Sequence, residues 1–311
     1  MKNDREERAE LSELAERLAA ETGCFVWALE PMAAHTSFRI GGPADLFVVA
    51  PGEKELARLL PALDQSGRPW VAVGNGTNLL VADEGYRGIV VRLGEGFRQL
   101  SRSAQGLVAG GALPLPALAR GAVDAGLAGA EFLSGIPGTV GGAVRMNAGA
   151  WGASLSDILV SVATCRSDGR EGVYLPAELD FGYRRSRLTG TGEVVTRIEV
   201  ALHPGEREEI RRRTAELLAA RKRSQPSGPS AGSVFKNPPG GKAGKLLEEV
   251  GAKGLRFGGA QVSEVHANFI INTGGATAAD VLSLMRELQR RVNERFGILL
   301  EPEIRFLGGK P

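Results

Sequence analysis

The chain has 311 residues, 43% hydrophobic and 24% charged, values that are ordinary for a globular protein and exclude a disordered, collagen-like or disulfide-stabilised chain. Its 38 Lys and Arg residues nearly balance 36 Asp and Glu residues, and no basic face with interleaved aromatic residues occurs, which argues against nucleic acid as a partner. A chain of this length is expected to form roughly two or three domains.

Cysteine usage and hydropathy favour a soluble protein of the cytoplasm. Cys24 and Cys165 are far apart and lie outside any Cys-x-x-Cys pattern, which argues against a metal site and leaves their redox state open. No stretch reaches about 18 uncharged apolar residues. The N-terminal residues are rich in glutamate, so we expect neither a signal peptide nor a membrane-spanning segment.

Glycine is the unusual component, with 43 residues, about twice average usage. Many of these glycines form short runs between apolar segments. Such runs are typical of tight turns, or of loops whose backbone approaches a ligand closely.

The first part of the chain is predicted to form a helix followed by a region of mixed helices and strands. Leu11, Leu14 and Leu18 recur at helical spacing before Gly23, which predicts an amphipathic helix over residues 5–22. Apolar runs then predict strands at 45–50, 71–73, 79–82 and 89–93, with one helix over 53–65.

Two further regions follow. Strands are predicted near 106–111, 158–165 and 193–202, around a helix over 114–125. A charged helix over 206–222 then leads into a loop, 224–232, rich in Pro, Ser and Gly. These composition changes divide the chain into an N-terminal helix (1–23) and three regions, 24–97, 98–204 and 205–311.

The C-terminal region ends in a helix and a strand. Thr277 is a good helix N-cap with Asp280 three residues on. The apolar stripe of this helix comprises Val281, Leu284, Leu288 and Val292, and Gly297 ends it. Residues 298–307 are predicted to form a strand that places Glu301, Glu303 and Arg305 on one face.

The run Gly74-Asn75-Gly76-Thr77-Asn78-Leu79 follows an apolar strand. It lacks the third glycine of the dinucleotide-binding pattern, which disfavours a Rossmann fold. Its backbone N–H groups still form the kind of concavity that holds a pyrophosphate. A plain turn is the alternative interpretation.

A second run, Gly135 to Ala143, contains four glycines and a proline and shows no side-chain periodicity. Such a run presents backbone, which can lie against a flat ring system and donate N–H groups to its polar edge, as a flavin requires. A structural crossover is the alternative interpretation.

Six segments together resemble one family. They are Thr36-Ser37-Phe38-Arg39-Ile40-Gly41-Gly42, Val73 to Leu80, the Gly-Ile-Pro-Gly run at Gly135, Phe181-Gly182-Tyr183-Arg184, Gly232-Ser233-Val234-Phe235-Lys236-Asn237-Pro238 and Leu300 to Arg305. In this order they resemble the signature set of the UDP-N-acetylenolpyruvoylglucosamine reductase (MurB) family. The resemblance spans roughly residues 35–307 and matches the shorter subclass, because the chain has no room for a Tyr-bearing substrate loop between His203 and Glu206.

The resemblance implies an α+β chain with a two-part, non-Rossmann FAD-binding unit of the vanillyl-alcohol-oxidase type and a C-terminal substrate-binding domain. It implies an FAD-dependent oxidoreductase of peptidoglycan precursor synthesis, and hence of cell-wall biogenesis, cell shape and cell division. NADPH reduces the enolpyruvyl group of a UDP-linked sugar through FAD in this family. By the same resemblance we expect a monomer.

The resemblance also assigns residues. The cofactor would contact Gly74, Asn75, Gly76, Thr77, Asn78, Leu79, Ile136, Pro137, Gly138, Thr139, Val140, Gly142 and Ala143. The substrate would contact Arg221, Lys236, Asn237 and His266. The reaction would depend on Arg184, Ser233 and Glu303.

Each catalytic assignment has a chemical reason. Hydride addition creates an enolate-like charge, which the guanidinium of Arg184 would stabilise with two hydrogen bonds; if residues 181–186 are extended, Arg184 projects inward and Arg185 is solvated. Ser233, a weak acid, would protonate the basic carbon. Glu303 would assist as a protonated carboxyl or through a water. A surface arginine and an ion pair between Glu303 and Arg305 are the plainer interpretations.

One residue departs from the family pattern, and other functions stay open. Trp151 replaces a tyrosine that is frequent in the family, so its contact is not assigned. Gly228 to Gly232 matches the Gly-x-Ser-x-Gly pattern of serine hydrolases, with Ser230 as nucleophile, but no strand is predicted before it. A flavin oxidase of the same fold and a non-catalytic binding protein are the remaining alternatives.

Overall fold

The computed structural model describes residues 4–309, which form two compact units interleaved along the chain. Unit 1 comprises the described residues of Met1–Leu29, together with Leu46–Gly74 and Gly88–Ala220. Unit 2 comprises Glu30–Asp45, Asn75–Arg87 and the described residues of Arg221–Pro311. Two internal segments therefore belong to the same unit as the C-terminal part of the chain.

Seven helices occur among the described residues: α1 (Asp4–Thr22), α2 (Glu53–Ser66), α3 (Leu115–Asp124), α4 (Val140–Met146), α5 (Arg207–Ser224), α6 (Ala243–Glu249) and α7 (Ala278–Phe296). The strands are β1 (Phe25–Pro31), β2 (Pro43–Ala50), β3 (Trp70–Val73), β4 (Leu79–Val81), β5 (Tyr86–Leu93), β6 (Leu100–Arg102), β7 (Gly106–Gly110), β8 (Leu127–Ala128), β9 (Gly149–Ala150), β10 (Ala153–Ser154), β11 (Leu159–Cys165), β12 (Glu171–Tyr174), β13 (Val194–Ala201), β14 (His203–Pro204), β15 (Arg256–Phe257), β16 (Ala260–Val262), β17 (Ile270–Asn272) and β18 (Arg305–Leu307).

The five longer helices follow the sequence pattern closely, whereas α4 and α6 are not predicted from it. Helix α1 ends before Gly23, whose φ of +75° is left-handed. Helix α7 begins after Thr277, which exchanges hydrogen bonds with Asp280 in a capping box, and ends at Gly297 with φ +68°. The apolar stripe predicted for α7 is fully buried. The prediction of an α+β chain is confirmed.

The predicted C-terminal strand is wrong in extent, because only Arg305–Leu307 form a strand. Residues 301–304 instead bond to residues 234–236, and an isolated bridge joins Phe235 to Pro302. Pro302 has no N–H to donate to a regular ladder. The interpretation that Glu301, Glu303 and Arg305 share one strand face is therefore wrong.

Unit 1 contains two larger sheets, two two-stranded sheets and two apolar cores. The four-stranded sheet, order β1-β2-β5-β3, lies mostly in this unit and packs with α1 and α2 around a core that includes Leu11, Leu46 and Leu59. The five-stranded sheet, order β12-β11-β13-β7-β6, is antiparallel throughout. It packs with α3 and α4 around a core that includes Leu118 and Val140.

Unit 2 has its own core, which joins its three chain segments. Phe38, Ile40 and Leu80 are buried in one cluster with residues of α7 such as Leu284. Strand β4 pairs in parallel with β18, and β15, β16 and β17 form a small antiparallel sheet. The carboxylate of Asp83 accepts the first two N–H groups of α7 at 2.7 and 3.0 Å, which fixes one internal segment to this helix.

Three further features bear on function. In residues 4–309, no helix is long and apolar enough to cross a membrane. Cys24 and Cys165 are free thiols in a buried setting, and burial raises the pKa of Cys165 to about 11. Because the thiolate is the reactive form, this thiol is a poor nucleophile at neutral pH.

Candidate functional site

The two predicted cofactor segments meet in unit 1 at Gly74 and Thr139. A Cβ atom built on Gly74 would lie 2.5 Å from Thr139 Oγ1, which is closer than Cβ atoms come to other heavy atoms in proteins. Gly74 follows β3, and Thr139 is the N-cap of α4, where its Oγ1 accepts the N–H of Gly142 at 3.4 Å. Only glycine leaves room for this contact, so the sequence requirement at position 74 is steric.

Backbone hydrogen bonds hold the Gly135 to Ala143 run against the loop before α3. Leu115 donates its N–H to the Gly138 carbonyl at 3.1 Å, and Val140 donates to the Leu113 carbonyl at 2.9 Å. Val140 is fully buried, whereas Pro137 and Gly142 are exposed. The run is therefore anchored on one side and open on the other.

Ser134 carries a buried hydroxyl at the start of this run. Within the part of the chain that the structure describes, Ser134 Oγ is one of two buried side-chain polar atoms with no hydrogen-bond partner. A buried hydroxyl without a partner costs roughly 1–3 kcal/mol. A ligand that bonds to this oxygen would remove that cost, so the run fits a polar group lying against its backbone.

Arg184 lies in a tight turn of unit 1, not in an extended segment. Gly182 and Arg185 form an isolated bridge through two backbone hydrogen bonds of 3.0 and 3.2 Å, and Arg184 has φ +56°. Residues 181–186 are therefore not extended, and the argument about side-chain faces that depends on that conformation does not apply. The guanidinium of Arg184 lies 5.2 Å from the ring centroid of Tyr183, a cation–π distance. Arg184 is half-buried, and the exposed Arg185 pairs with Asp180 at 3.1 Å.

The turn that carries Arg184 is tied to the end of α4. Ser186 Oγ and Thr189 Oγ1 both donate to the Arg145 carbonyl at 3.0 Å. Asn147, the left-handed C-cap of α4 with φ +42°, donates from Nδ2 to the Gly182 carbonyl at 3.4 Å. Since α4 continues the glycine run, these bonds connect Arg184 to one predicted cofactor segment.

Left-handed, non-glycine residues concentrate in this part of unit 1. Asn147, Trp151, Asp180 and Arg184 all have φ between +42° and +59°. A bulky side chain in this conformation is strained by about 1–3 kcal/mol, and such strain clusters at functional sites. Trp151 also stands exposed at the tip of the hairpin formed by β9 and β10.

In unit 2, the remaining part of the first cofactor segment, residues 75–79, packs against residues 35–37. A Cβ atom on Gly76, which has φ +61°, would lie 2.2 Å from the His35 carbonyl oxygen. Ser37 donates its N–H to the Gly76 carbonyl at 3.2 Å and its Oγ to the Ser230 carbonyl at 2.6 Å. Ser37 thus joins this turn to the loop before Ser233.

Ser233 and Glu303 lie on paired segments of unit 2. Glu303 donates its N–H to the Val234 carbonyl at 2.8 Å, and Lys236 donates to the Glu301 carbonyl at 2.9 Å. Asn78 Nδ2 donates to the Glu303 carbonyl at 3.1 Å. Main-chain bonds and one bond from the Asn78 side chain therefore bring together part of one predicted cofactor segment and two of the three predicted catalytic residues.

Asn268, next to this group, is not among the site residues predicted from the sequence. Asn268 is 4% exposed, and its side chain bonds to both polar groups of the Phe235 backbone. His266 Nδ1 accepts the Asn268 N–H at 3.1 Å. The sequence signal for Asn268 is a polar residue in an otherwise apolar run, 267–271.

The predicted substrate residues have defined partners. Lys236 Nζ lies 3.1 Å from Glu301 Oε2, and Asn237 Oδ1 accepts the N–H of Ala243 at the start of α6. His266 packs its ring edge-on against Phe269, with centroids 5.1 Å apart. Arg221 lies in the last turn of α5.

Ser230 lies in an irregular loop. No strand leads directly into residues 228–232 and no helix follows them directly. A nucleophile elbow requires a strand-to-helix turn, so the hydrolase interpretation has no structural support. Across residues 4–309, no cluster of three or more His, Cys, Asp or Glu side chains could hold a metal ion.

Comparison with known sequences and structures gives consistent matches. Residues 224–307 match the family described as "UDP-N-acetylenolpyruvoylglucosamine reductase, C-terminal domain", and residues 44–171 match "FAD binding domain". The chain is 50% identical over 281 residues to the UDP-N-acetylenolpyruvoylglucosamine reductase of Heliobacterium modesticaldum, covering 90% of each chain. It is 45% identical to UDP-N-acetylenolpyruvoylglucosamine reductase 2 of Symbiobacterium thermophilum, covering 91% of this chain and 92% of the relative.

A solved structure is similar over nearly the whole chain. It is the crystal structure of UDP-N-acetylenolpyruvylglucosamine reductase (MurB) from Thermus caldophilus, with a TM-score of 0.78 and 42% identity. The match covers 92% of this chain and 99% of that chain.

Proposed function

Since the chain belongs to the UDP-N-acetylenolpyruvoylglucosamine reductase family, we propose that it reduces the enolpyruvyl group of UDP-N-acetylglucosamine enolpyruvate to give UDP-N-acetylmuramate. It is an FAD-dependent oxidoreductase that takes its hydride from NADPH. The product is a peptidoglycan precursor, so the enzyme serves cell-wall biogenesis and, through it, cell shape and division. The identity of 50% over 90% of both chains carries this conclusion.

The fold class predicted from the sequence is confirmed by these matches. The FAD-binding match covers the first part of the chain and the reductase match covers the C-terminal part. The finer division into 1–23, 24–97, 98–204 and 205–311 is part of the proposal. Each of the last three regions supplies most of one apolar core, although Phe38, Ile40 and Leu80 of the region 24–97 are buried with the C-terminal region.

The residues of the glycine run fit FAD. The orphaned hydroxyl of Ser134 needs a polar partner, and the open side of the run presents backbone that a flat ring can approach. The contact between Gly74 and Thr139 connects this run to the turn that follows β3. The chemistry that FAD supplies when bound is hydride transfer from NADPH to the enolpyruvyl group.

Arg184 stabilises the charge that develops on the substrate. Hydride addition to the terminal carbon pushes electrons onto the carboxylate, and a fixed guanidinium can bind that group with two hydrogen bonds. The ties from Ser186, Thr189 and Asn147 support this role, because they hold the turn of Arg184 in one conformation. A positioned charge lowers the barrier more than a mobile one.

Ser233 donates the proton that completes the reduction. A hydroxyl is a weak acid, so it acts only on a strongly basic carbon and only when neighbouring groups stabilise the alkoxide. Glu303, on the segment paired with that of Ser233, is the neighbouring carboxyl. In its protonated form it donates a hydrogen bond, whereas a carboxylate would repel the developing negative charge.

Lys236, Asn237, Arg221 and His266 bind the sugar nucleotide. The positive charges of Lys236 and Arg221 suit the diphosphate. In the structure Lys236 pairs with Glu301, so phosphate would compete with that carboxylate for its ammonium group. We further propose that the enzyme is a cytoplasmic monomer with neither a nucleic-acid nor a membrane partner, in line with its balanced charge.

An absorbance spectrum and two rate measurements test the function. We expect purified protein to show bound flavin, to be reduced by NADPH under anaerobic conditions, and to be reoxidised by the enolpyruvyl sugar nucleotide much faster than by oxygen. Fast reoxidation by oxygen with an alcohol as electron donor would instead identify a flavin oxidase. A colourless protein that takes up no FAD would indicate a binding protein and would contradict the proposal.

A further inference from the structure

Asn268 is a buried polar residue whose side-chain hydrogen bonds are both directed at the chain next to Ser233. Its Oδ1 accepts the Phe235 N–H at 2.9 Å, and its Nδ2 donates to the Phe235 carbonyl at 2.8 Å. Its own carbonyl accepts the Val234 N–H at 2.9 Å. An amide at 4% exposure is tolerated only when it is bonded, and here both ends of the amide are used.

These bonds fix the chain immediately after Ser233. A side chain that pairs with both polar groups of one residue replaces a strand neighbour, because Phe235 obtains from it the two bonds of a ladder. Ser233 itself bridges to Phe269, the residue next to Asn268. The segment is therefore held on both sides of Val234.

The same arrangement reaches Glu303. Val234 donates its N–H to the Asn268 carbonyl, and its own carbonyl accepts the Glu303 N–H at 2.8 Å. Phe235 also bridges to Pro302, next to Glu303. A displacement of Asn268 would therefore move the backbone of both residues assigned to protonation.

We propose that Asn268 is a positioning residue for the protonation step. It acts through the main chain of Val234 and Phe235, and sets the distance between Ser233, Glu303 and the substrate carbon. This inference rests on the proposed function of Ser233 and Glu303. Proton transfer needs its heavy atoms within about 2.6–3.2 Å, and a 1 Å displacement can slow a reaction by roughly 10²-fold.

His266 supports Asn268 from the other side. Its Nδ1 accepts the Asn268 N–H at 3.1 Å, which requires a neutral ring with the proton on Nε2. Packing against Phe269 and Gly244 fixes the ring plane. The backbone of Asn268 is thus held independently of its side chain, so a side-chain substitution removes the bonds to Phe235 alone.

Stopped-flow measurement of the two half-reactions of the holoenzyme tests the proposal. Asn268→Asp has the same shape and keeps an acceptor for the Phe235 N–H, but its ionised form cannot donate to the Phe235 carbonyl. We expect flavin reduction by NADPH to stay at the wild-type rate and reoxidation by the enolpyruvyl substrate to slow by roughly 10²-fold. The defect should grow as pH rises through the titration of the introduced carboxyl, because the protonated form can still donate.

A matched control separates positioning from a general loss of stability. Gln289 Nε2 donates to the Leu300 carbonyl at 2.8 Å in the same unit, so Gln289→Glu removes a bond of the same type and length away from Ser233. We expect this variant to keep the wild-type reoxidation rate. Equal slowing of both half-reactions by Asn268→Asp, or a reoxidation rate equal to wild type at all pH values, would overturn the proposal.

A measurement on the unmodified enzyme covers the case in which the variant does not fold. Hydrogen exchange should find the Phe235 and Val234 amides protected to the same degree as amides of β17. Exchange as fast as in the loop before Ser233 would overturn the proposal. A wild-type enzyme that the enolpyruvyl substrate does not reoxidise would instead contradict the proposed function, which distinguishes the two failures.

Discussion

Glu303 donates its main-chain N–H to the carbonyl oxygen of Val234 over 2.8 Å, which holds the segment that carries this carboxyl against the segment that carries Ser233. Glu303 and Ser233 are 70 positions apart in the chain. Under the roles proposed for Ser233 and Glu303, one step of the reaction depends on these segments and the other does not. Reduction of the flavin by NADPH would require no proton from Ser233, whereas completion of the product would.

Ser233→Ala should therefore affect one half-reaction. Flavin reduction by NADPH should stay near the wild-type rate, and reoxidation by the enolpyruvyl substrate should slow by roughly 10²-fold or more. Anaerobic stopped-flow absorbance measures both rates. Ser230→Ala, three residues earlier, is the control and should leave both rates unchanged; equal damage to both halves by Ser233→Ala would contradict the assigned role.

Asn147→Gly should loosen the turn that carries Arg184. Glycine accepts the left-handed backbone of Asn147 without strain, so the variant loses only the hydrogen bonds to the Gly182 carbonyl and the Ser156 N–H. We expect kcat/KM for the enolpyruvyl substrate to fall by about tenfold, the equivalent of about 1.4 kcal/mol, with FAD retained. Steady-state kinetics and the flavin absorbance measure the two quantities.

Asn147→Asp sharpens this test. The carboxylate can still accept the Ser156 N–H but cannot donate to the Gly182 carbonyl. It should therefore share the defect of Asn147→Gly. Wild-type kcat/KM in both variants would show that the tie to Gly182 has no part in placing Arg184.

Gly76→Ala should weaken both folding and FAD binding. The left-handed backbone at φ +61° costs an alanine roughly 1–2 kcal/mol. The added Cβ would also lie 2.2 Å from the His35 carbonyl oxygen and 2.8 Å from Thr36 Cα, so the turn would have to move. Thermal unfolding and the flavin content after gel filtration measure the two effects.

Gly240→Ala is the matched control for that variant. Gly240 has φ +70°, and a Cβ atom there would meet no atom within 4 Å. Gly240→Ala should lose only the free energy of unfolding that the left-handed backbone costs an alanine, with no added loss from a steric clash. It should keep its FAD. Equal losses of FAD in the two variants would show that close packing at Gly76 does not matter for the cofactor.

The imidazole of His266 should make stability depend on pH. Burial lowers its pKa below the ordinary value of 6.5; the charge of Glu248 opposes this shift and that of Lys253 adds to it. The unfolded chain therefore binds more protons than the folded chain in the interval below pH 6.5. The contribution of His266 to the free energy of unfolding should be full above about pH 6.5 and should decline as pH falls through the folded-state pKa.

Urea unfolding at pH 7.5 and pH 5.5 measures this dependence. Wild type should lose more free energy of unfolding between the two pH values than His266→Gln, in which no ring titrates. The other two histidines contribute equally to both proteins and cancel in the comparison. An identical loss in the two proteins would show that protonation of His266 is not coupled to folding.

Local sequence patterns predict the five longer helices because their signals are local, whereas the seven-residue helices α4 and α6 are not predicted. In α7, the cap at Thr277, the stripe from Val281 to Val292 and the stop at Gly297 lie within one helix and agree with one another. The glycine runs are also predicted from local sequence. Gly74 and Gly76 lie where a Cβ atom would collide with a neighbouring part of the chain. The resemblance of six segments then supplies the assigned roles.

The conformation of Arg184 and the path of residues 301–304 could not be predicted in this way. An arginine rarely adopts a left-handed backbone, and its turn is stabilised by hydrogen bonds that the Arg145 carbonyl accepts and that the Asn147 side chain donates, both from residues distant in the sequence. Polar and apolar residues alternate at Glu301, Pro302 and Glu303 as they do in a strand. The segment instead bonds to residues 234–236, an irregular run more than 60 residues earlier in the chain. Long-range hydrogen bonds determine both the turn of Arg184 and the path of residues 301–304. The periodicity of a sequence gives no information about such bonds.

The interleaving of the two units has a consequence for dissection of the enzyme. A fragment cut at the bounds of the C-terminal match, residues 224–307, would retain β18 but would lack β4, its parallel neighbour. It would also lack Phe38 and Leu80, leaving a gap in the apolar interior of α7 and its surroundings. Such a piece is expected to aggregate or stay unfolded, so the C-terminal region has to be expressed and engineered together with residues 30–45 and 75–87, the second of which lies inside the FAD-binding match.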